Sequence, residues 1–128
     1  VEGNNVDIIT TIHEYDEEDN SFDAIVSTEC FEHDMYYEKS LQNIVRLLKP
    51  GGIFVFTCAT TGRPEHGTVR TTPHLSPKTD GEWAHYYKNL TQDDIRNAID
   101  VDSIFSDYEF EGSHIGSMHD LYFYGIKK

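Results

Sequence analysis

Residues 41–58 place the tightest limit on what this chain can fold into. Leu41, Ile44, Val45 and Leu48 recur at i, i+3, i+4 and i+7, the stripe of an amphipathic helix, predicted over residues 36–48. Lys49-Pro50-Gly51-Gly52 stops that helix, because the residue before a proline disfavours helical angles and glycine accepts positive φ. Residues 53–58, Ile-Phe-Val-Phe-Thr-Cys, then form an apolar run of strand length. Upstream, residues 22–28 form another near-continuous apolar run, as expected of a strand covered on both faces in a parallel sheet. Strand, helix, tight turn and strand make a βαβ unit whose crossover should be right-handed.

The flanks extend this unit. Residues 6–12 are a short β-branched run and predict a further strand, followed by a polar, acidic loop over 13–21. Within that loop Asp16-Glu17-Glu18-Asp19 reads as a solvated segment. Residues 59–90 keep no sustained period and carry Gly62, Pro64, Gly67, Pro73, Pro77 and Gly81, which predicts a long structured loop or lid. Thr91 precedes Ile95, Ala98 and Ile99 as the N-cap of a second helix over 92–99. The tail has two strand-like stretches, 108–114 and 121–126, separated by Gly116-Ser117-Met118 and expected to pair antiparallel.

At 128 residues the chain fits one domain with a single core. Its formal net charge of -13 and the lack of any basic cluster argue against nucleic acid as a partner. No apolar stretch approaches the length of a membrane span, and Val1-Glu2-Gly3-Asn4-Asn5 lacks the parts of a signal peptide, so the expected location is the cytoplasm. Cys30 and Cys58 have no CxxC spacing and are expected to be free thiols. Seven histidines are present, but none forms an i, i+4 helical pair or a Cys/His cluster, so no metal site is expected.

The segment Asn20-Ser21-Phe22-Asp23-Ala24-Ile25-Val26-Ser27-Thr28-Glu29-Cys30-Phe31-Glu32-His33, together with Arg46-Leu47-Leu48-Lys49-Pro50-Gly51-Gly52, resembles class I S-adenosylmethionine-dependent methyltransferases. That resemblance implies a Rossmann-like α/β fold: a partial doubly wound, mostly parallel sheet with an antiparallel C-terminal hairpin. It implies S-adenosylmethionine as cofactor and a small molecule or sugar as methyl acceptor. The glycine-rich loop and ribose-binding acidic residue of the family are absent from these residues. Residues 6–12 correspond to the family's third strand, so the chain is expected to be either a fragment or a remnant that no longer binds cofactor.

Ligands of open α/β sheets sit beyond the carboxyl ends of the strands, which places residues 10–13, 28–34 and 58–63 on one rim. By resemblance, Thr11 and Ile12 fall at the adenine, with Thr11 where an aspartate is common, and Thr28, Glu29 and Cys30 run beneath the methionine part. His33, oriented by Asp34, is the candidate base if one is needed; the alternative is that Glu32 and His33 only fix the loop to the helix. Tyr37, Arg63, His66, Trp83 and Tyr86 are candidate substrate contacts, the last four from the lid, against ordinary packing of Tyr37 and Trp83.

Two functions stay open: a methyltransferase, or a non-enzymatic methyltransferase-like module for interaction or oligomerisation. Without the family's first strands, residues 22–28 become an open apolar edge, which predicts a homodimer, strand exchange or a rearranged first segment.

Overall fold

A computed structural model describes residues 5–128; residues 1–4, most of the N-terminal stretch considered for a signal peptide, lie outside it. Strand β1 (Phe22–Thr28) leads through a 3-10 turn at Phe31–His33 into helix α1 (Tyr37–Leu47), and strand β2 (Leu48–Ala59) follows at once. β1 and β2 pair in parallel, so the predicted βαβ unit is formed. Helix α1 turns Tyr37, Leu41, Ile44 and Leu47 inward, all buried, as the stripe requires. Both ends of α1 are tied to other segments. Asp34 accepts the Tyr36 amide at 2.8 Å and the Ser40 hydroxyl at 2.5 Å. Lys127 donates to the carbonyls of Val45 and Leu48 at 2.7 and 2.6 Å, satisfying acceptors that the last turn leaves open.

The Lys-Pro-Gly-Gly stop ends the helix, yet it is built as a bulge within β2 rather than as a turn before it. Phe22 pairs with Leu48 and Ala24 with Ile53, so residues 49–52 bow out opposite Asp23 alone. Gly51 takes φ +78°, and Lys49 returns to the Asp23 carboxylate at 3.0 Å.

The loop after β2 contains 3-10 turns at Pro73–Leu75 and Gly81–His85. Its ends are stitched together: the Leu90 amide donates to the Ala59 carbonyl at 2.9 Å and the Thr60 hydroxyl to the Leu90 carbonyl at 2.6 Å. Helix α2 (Gln92–Ala98) starts on a full capping box between Thr91 and Asp94. A short helix α3 (Val101–Ile104), too brief to show a period in the sequence, precedes strands β3 (Phe105–Ile115) and β4 (Met118–Lys127). These form the expected antiparallel hairpin.

The sheet order is β1-β2-β4-β3. Phe31, Phe54, Phe56, Phe105 and Phe123 pack with Leu41, Ile44 and Ile95 as its core. Phe56 meets Phe31 edge-on at 5.3 Å and stacks on Phe123 at 5.2 Å.

Residues 6–12 do not form the predicted strand. They run as bends into a 3-10 turn at Ile12–Glu14, with Ile8 56% and Ile9 65% exposed. Strand preference reflects packing against neighbours, and this run has no strand beside it. It is held instead by α1, where Asn43 donates to the carbonyls of Ile12 and Tyr15 at 2.7 and 2.9 Å. With this segment outside the sheet, β1–β2 is the parallel pairing and β4 runs antiparallel to both neighbours. No helix among the described residues is long and apolar enough to cross a membrane.

Candidate functional site

Where β1 ends, Glu29 takes φ +49°, a left-handed conformation that turns the chain sharply out of the sheet. Thr57 on β2 fixes the turn: its carbonyl accepts the Glu29 amide at 2.8 Å and its hydroxyl donates to the Glu29 carboxylate at 2.9 Å. Phe31 then anchors the following 3-10 turn in the core. Facing this turn, Thr11 and Ile12 come down from the N-terminal segment, and residues 76–80 with Trp83 close over from the lid. The resulting partly open pocket measures about 370 Å³, the lower end of small-ligand sites.

Of the sequence candidates, Thr11, Ile12, Glu29, Cys30, His33, Asp34 and Trp83 all line this one pocket. Ser76, Lys78, Thr79 and Asp80 join them from the lid. These four were not singled out from the sequence; the only available signal was their place in a long loop rich in proline and glycine. Trp83 is fixed by aromatic neighbours, with Tyr36 at 5.7 Å and His13 stacked at 6.4 Å. The lining residues include three acidic groups, Glu29, Asp34 and Asp80, against the one lysine, Lys78, so the pocket favours a positively charged guest. Burial first, then Asp34 and Glu32, push the Cys30 thiol up to about 11. Both cysteines are free thiols, as expected.

Asp34 does not orient His33. Its two oxygens serve the first turn of α1, and the His33 ring packs edge-on against His66 at 5.2 Å and Tyr87 at 5.5 Å. Burial, then the neighbouring His66, lower the His33 pKa to about 4. The ring is neutral near pH 7, so the expected base titrating near neutrality is replaced by a weakly basic wall group. Behind it Glu32 is fully buried, and neither carboxylate oxygen has a hydrogen bond of good geometry. Burial lifts its pKa to about 7; the nearby amides of Glu32 and Ala59 pull it down only in part, and Glu29 raises it further. Ligand atoms of Glu32, His33 and His66 all lie within 4.8 Å of one another. The expectation of no metal-ligand grouping rested on sequence spacing, which cannot register a lid residue folded back onto a turn.

The other candidates lie elsewhere. Thr28 faces a separate cleft of about 610 Å³ along the outer edge of β1. Tyr37 is a core residue, its ring beneath Lys88 at 5.0 Å. Arg63 is taken up by an ion pair with buried Asp120. Tyr86 is half-buried below the lid turn, its amide bonded to the Trp83 carbonyl at 3.1 Å, and does not line the pocket. Each of these three has a packing or pairing role that sequence position alone did not reveal.

Residues 2–56 match the family model described as a methyltransferase domain. No curated protein matches the chain in sequence. Among solved structures, the chain is similar to the phosphoethanolamine N-methyltransferase 2 of Haemonchus contortus in complex with S-adenosyl-L-methionine. The TM-score is 0.62 at 18% identity, over 91% of this chain and 36% of that one. It is also similar to the 1,6-didemethyltoxoflavin-N1-methyltransferase of Burkholderia thailandensis, solved with 1,6-didemethyltoxoflavin and S-adenosylhomocysteine. There the TM-score is 0.58 at 17% identity, over 94% of this chain and 50% of that one. The chain thus spans between about a third and a half of these two relatives in length.

Proposed function

We propose that the chain carries a class I S-adenosylmethionine-dependent methyltransferase domain and serves methyl transfer to a small molecule or sugar, a reading supported by the methyltransferase-domain match over residues 2–56 and by the shared fold. The observation that carries this reading is convergence. Thr11 and Ile12 from one segment, Glu29 and Cys30 from the end of β1, and Trp83 from the lid meet at one pocket. The lining suits the cofactor: carboxylates of Glu29, Asp34 and Asp80 favour a sulfonium cation, and the Trp83 ring offers an aromatic face. Thr11, Ile12, Glu29 and Cys30 would hold the cofactor, which supplies an electrophilic methyl group for in-line displacement. The protein's own share is alignment. Ser76, Lys78, Thr79, Asp80 and Trp83 line the lid side of the pocket, while His33 gives a neutral, weakly basic wall and leaves proton removal from the acceptor to solvent at the open side.

Trp83 is the sole tryptophan of the chain and stands in the pocket wall, so its fluorescence reports occupancy. Titration with S-adenosylhomocysteine, followed by that signal and by calorimetry, should show saturable one-to-one binding. No binding at millimolar ligand, with the fold intact by circular dichroism, would overturn the reading for this chain.

A second reading is self-association through β1. It is favoured by the 66% exposure of Val26 on a strand paired on one side only among the described residues.

A further inference from the structure

We propose that Glu32, His33 and His66 form a binding site for a divalent first-row metal ion, with Zn2+ the best match to their donor set. A fully buried carboxylate whose oxygens lack a hydrogen bond of good geometry, and which has no Lys or Arg ion pair among the described residues, is costly, and such groups are found where a cation completes them. The partners at hand are two imidazoles. Glu32 Oε1 stands 4.0 Å from His66 Nε2, and the His33 ring lies against His66.

The tautomer of His66 fits ligation. Its Nδ1 lies 3.1 Å from the Pro64 carbonyl, an acceptor only, so Nδ1 carries the proton and donates it. The lone pair is left on Nε2, the atom that faces Glu32. An imidazole whose far nitrogen is bound to a backbone carbonyl is the usual outer support of a metal-ligating histidine. Tyr87 packs on both rings, at 5.5 Å from His33 and 5.1 Å from His66, and its hydroxyl is fixed by Asn89 at 2.8 Å. The turn that carries Glu32 and His33 is pinned by Phe31 in the core and by the Lys88 amide, which donates to the Glu32 carbonyl at 2.9 Å.

Ligands about 2.1 Å from a shared ion stand roughly 3 to 3.5 Å apart, so the three groups need to draw in by about 1 Å. Two imidazoles and one carboxylate suit first-row ions over Mg2+ or Ca2+, and three protein ligands leave coordination positions open. A second carboxylate, Glu29, stands near enough to Glu32 to raise its pKa, adding negative charge around the ion. The site stands whether or not the chain binds a methyl donor, since its ligands include neither Thr11 nor Trp83.

The test uses the 128-residue chain stripped by chelator and dialysed. Calorimetry with Zn2+ alone, and the visible absorption of added Co2+, should show one ion per chain at micromolar or tighter affinity. Glu32→Gln, nearly the same shape without the charge, and His66→Ala should each weaken binding about tenfold or more. Should one variant fail to fold by circular dichroism, the other decides. His114→Ala serves as control, because His114 and His119 form a separate exposed pair on the β3–β4 hairpin, Nδ1 to Nδ1 2.9 Å. Absence of saturable Zn2+ or Co2+ binding would overturn the proposal. So would binding of unchanged affinity in both Glu32→Gln and His66→Ala, or loss of the signal in His114→Ala alone.

Discussion

Gly67 lies directly against His33: a Cβ built at Gly67 would fall 2.8 Å from His33 Cε1 and equally close to the Ser76 Cβ. Its φ of +64° is also in the region that side chains resist. The lid can therefore close on the β1 turn only with glycine here. Gly67→Ala should cost about 1–3 kcal/mol, from left-handed backbone strain and overpacking together. The loss is expected in thermal unfolding, with weaker S-adenosylhomocysteine binding as residues 76–80 are displaced. A variant with unchanged melting and affinity would show that the lid does not dock this way.

The core makes a separate claim. Phe56 is fully buried between Phe31 and Phe123, and neither neighbour can move without breaking further ring contacts with Phe54. Phe56→Ala should cost roughly 3–5 kcal/mol, a large share of the total stability of a small domain. Urea unfolding should show a lower midpoint with an unchanged slope. A loss below about 1 kcal/mol would mean the aromatic cluster is not packed as described.

Asp94 links the lid exit to α2 and sets a pH dependence. Burial works against its charged form, but the hydrogen bond from Lys88 at 2.8 Å, with those from the Thr91 amide and hydroxyl, holds its carboxyl below the usual range. A carboxyl whose folded pKa is depressed contributes stability above its unfolded value, about 3.9, and loses it as pH falls through the folded value. Asp94→Asn should thus destabilise the chain at pH 7 by about 1 kcal/mol, chiefly through the capping box. Lys88 is 40% exposed, which limits what the ion pair adds. Below pH 4 the variant and the parent should converge in melting temperature; a constant gap across that range would exclude the ionised Asp94 as the cause.

How far the sequence foretold these relationships depends on how local each one is. The α1 stripe, the apolar run of β1 and the Thr91 cap are short-range patterns, and each appears where its spacing put it. Residues 6–12 had strand composition too, but a strand needs a neighbour, and Asn43 of α1 took their carbonyls instead. Lys-Pro-Gly-Gly announced a stop without saying that β2 had already begun at Leu48. The rule that ligands sit beyond strand ends accounts for Glu29, Cys30 and His33 after β1, but Thr11 follows no strand and residues 58–63 of the expected rim do not line the pocket. The contact of His66 with Glu32 was hidden because it depends on the path of the lid. That path turns on left-handed glycines at 62 and 67, whose conformations no sequence period records.

The outer edge of β1 leads to the last prediction. Val26 is 66% exposed, Ile8 56%, and both line the 610 Å³ cleft with Ile25, Ile44 and Leu47. Natural edge strands usually carry a charge, a proline or a cover; among the described residues the apolar centre of β1 has no charge or proline, and the N-terminal segment that lines the cleft leaves Val26 exposed. A second copy can pair with β1 and fill the cleft, so light scattering should show mass rising from monomer to dimer with concentration. Val26→Lys puts a charge on the edge while leaving the buried face of β1 and its β2 pairing untouched. The variant should remain monomeric and melt within about 0.5 kcal/mol of the parent at low concentration, as surface changes do. If the parent stays monomeric at high concentration, or if Val26→Lys dimerises equally well, association does not run through this edge.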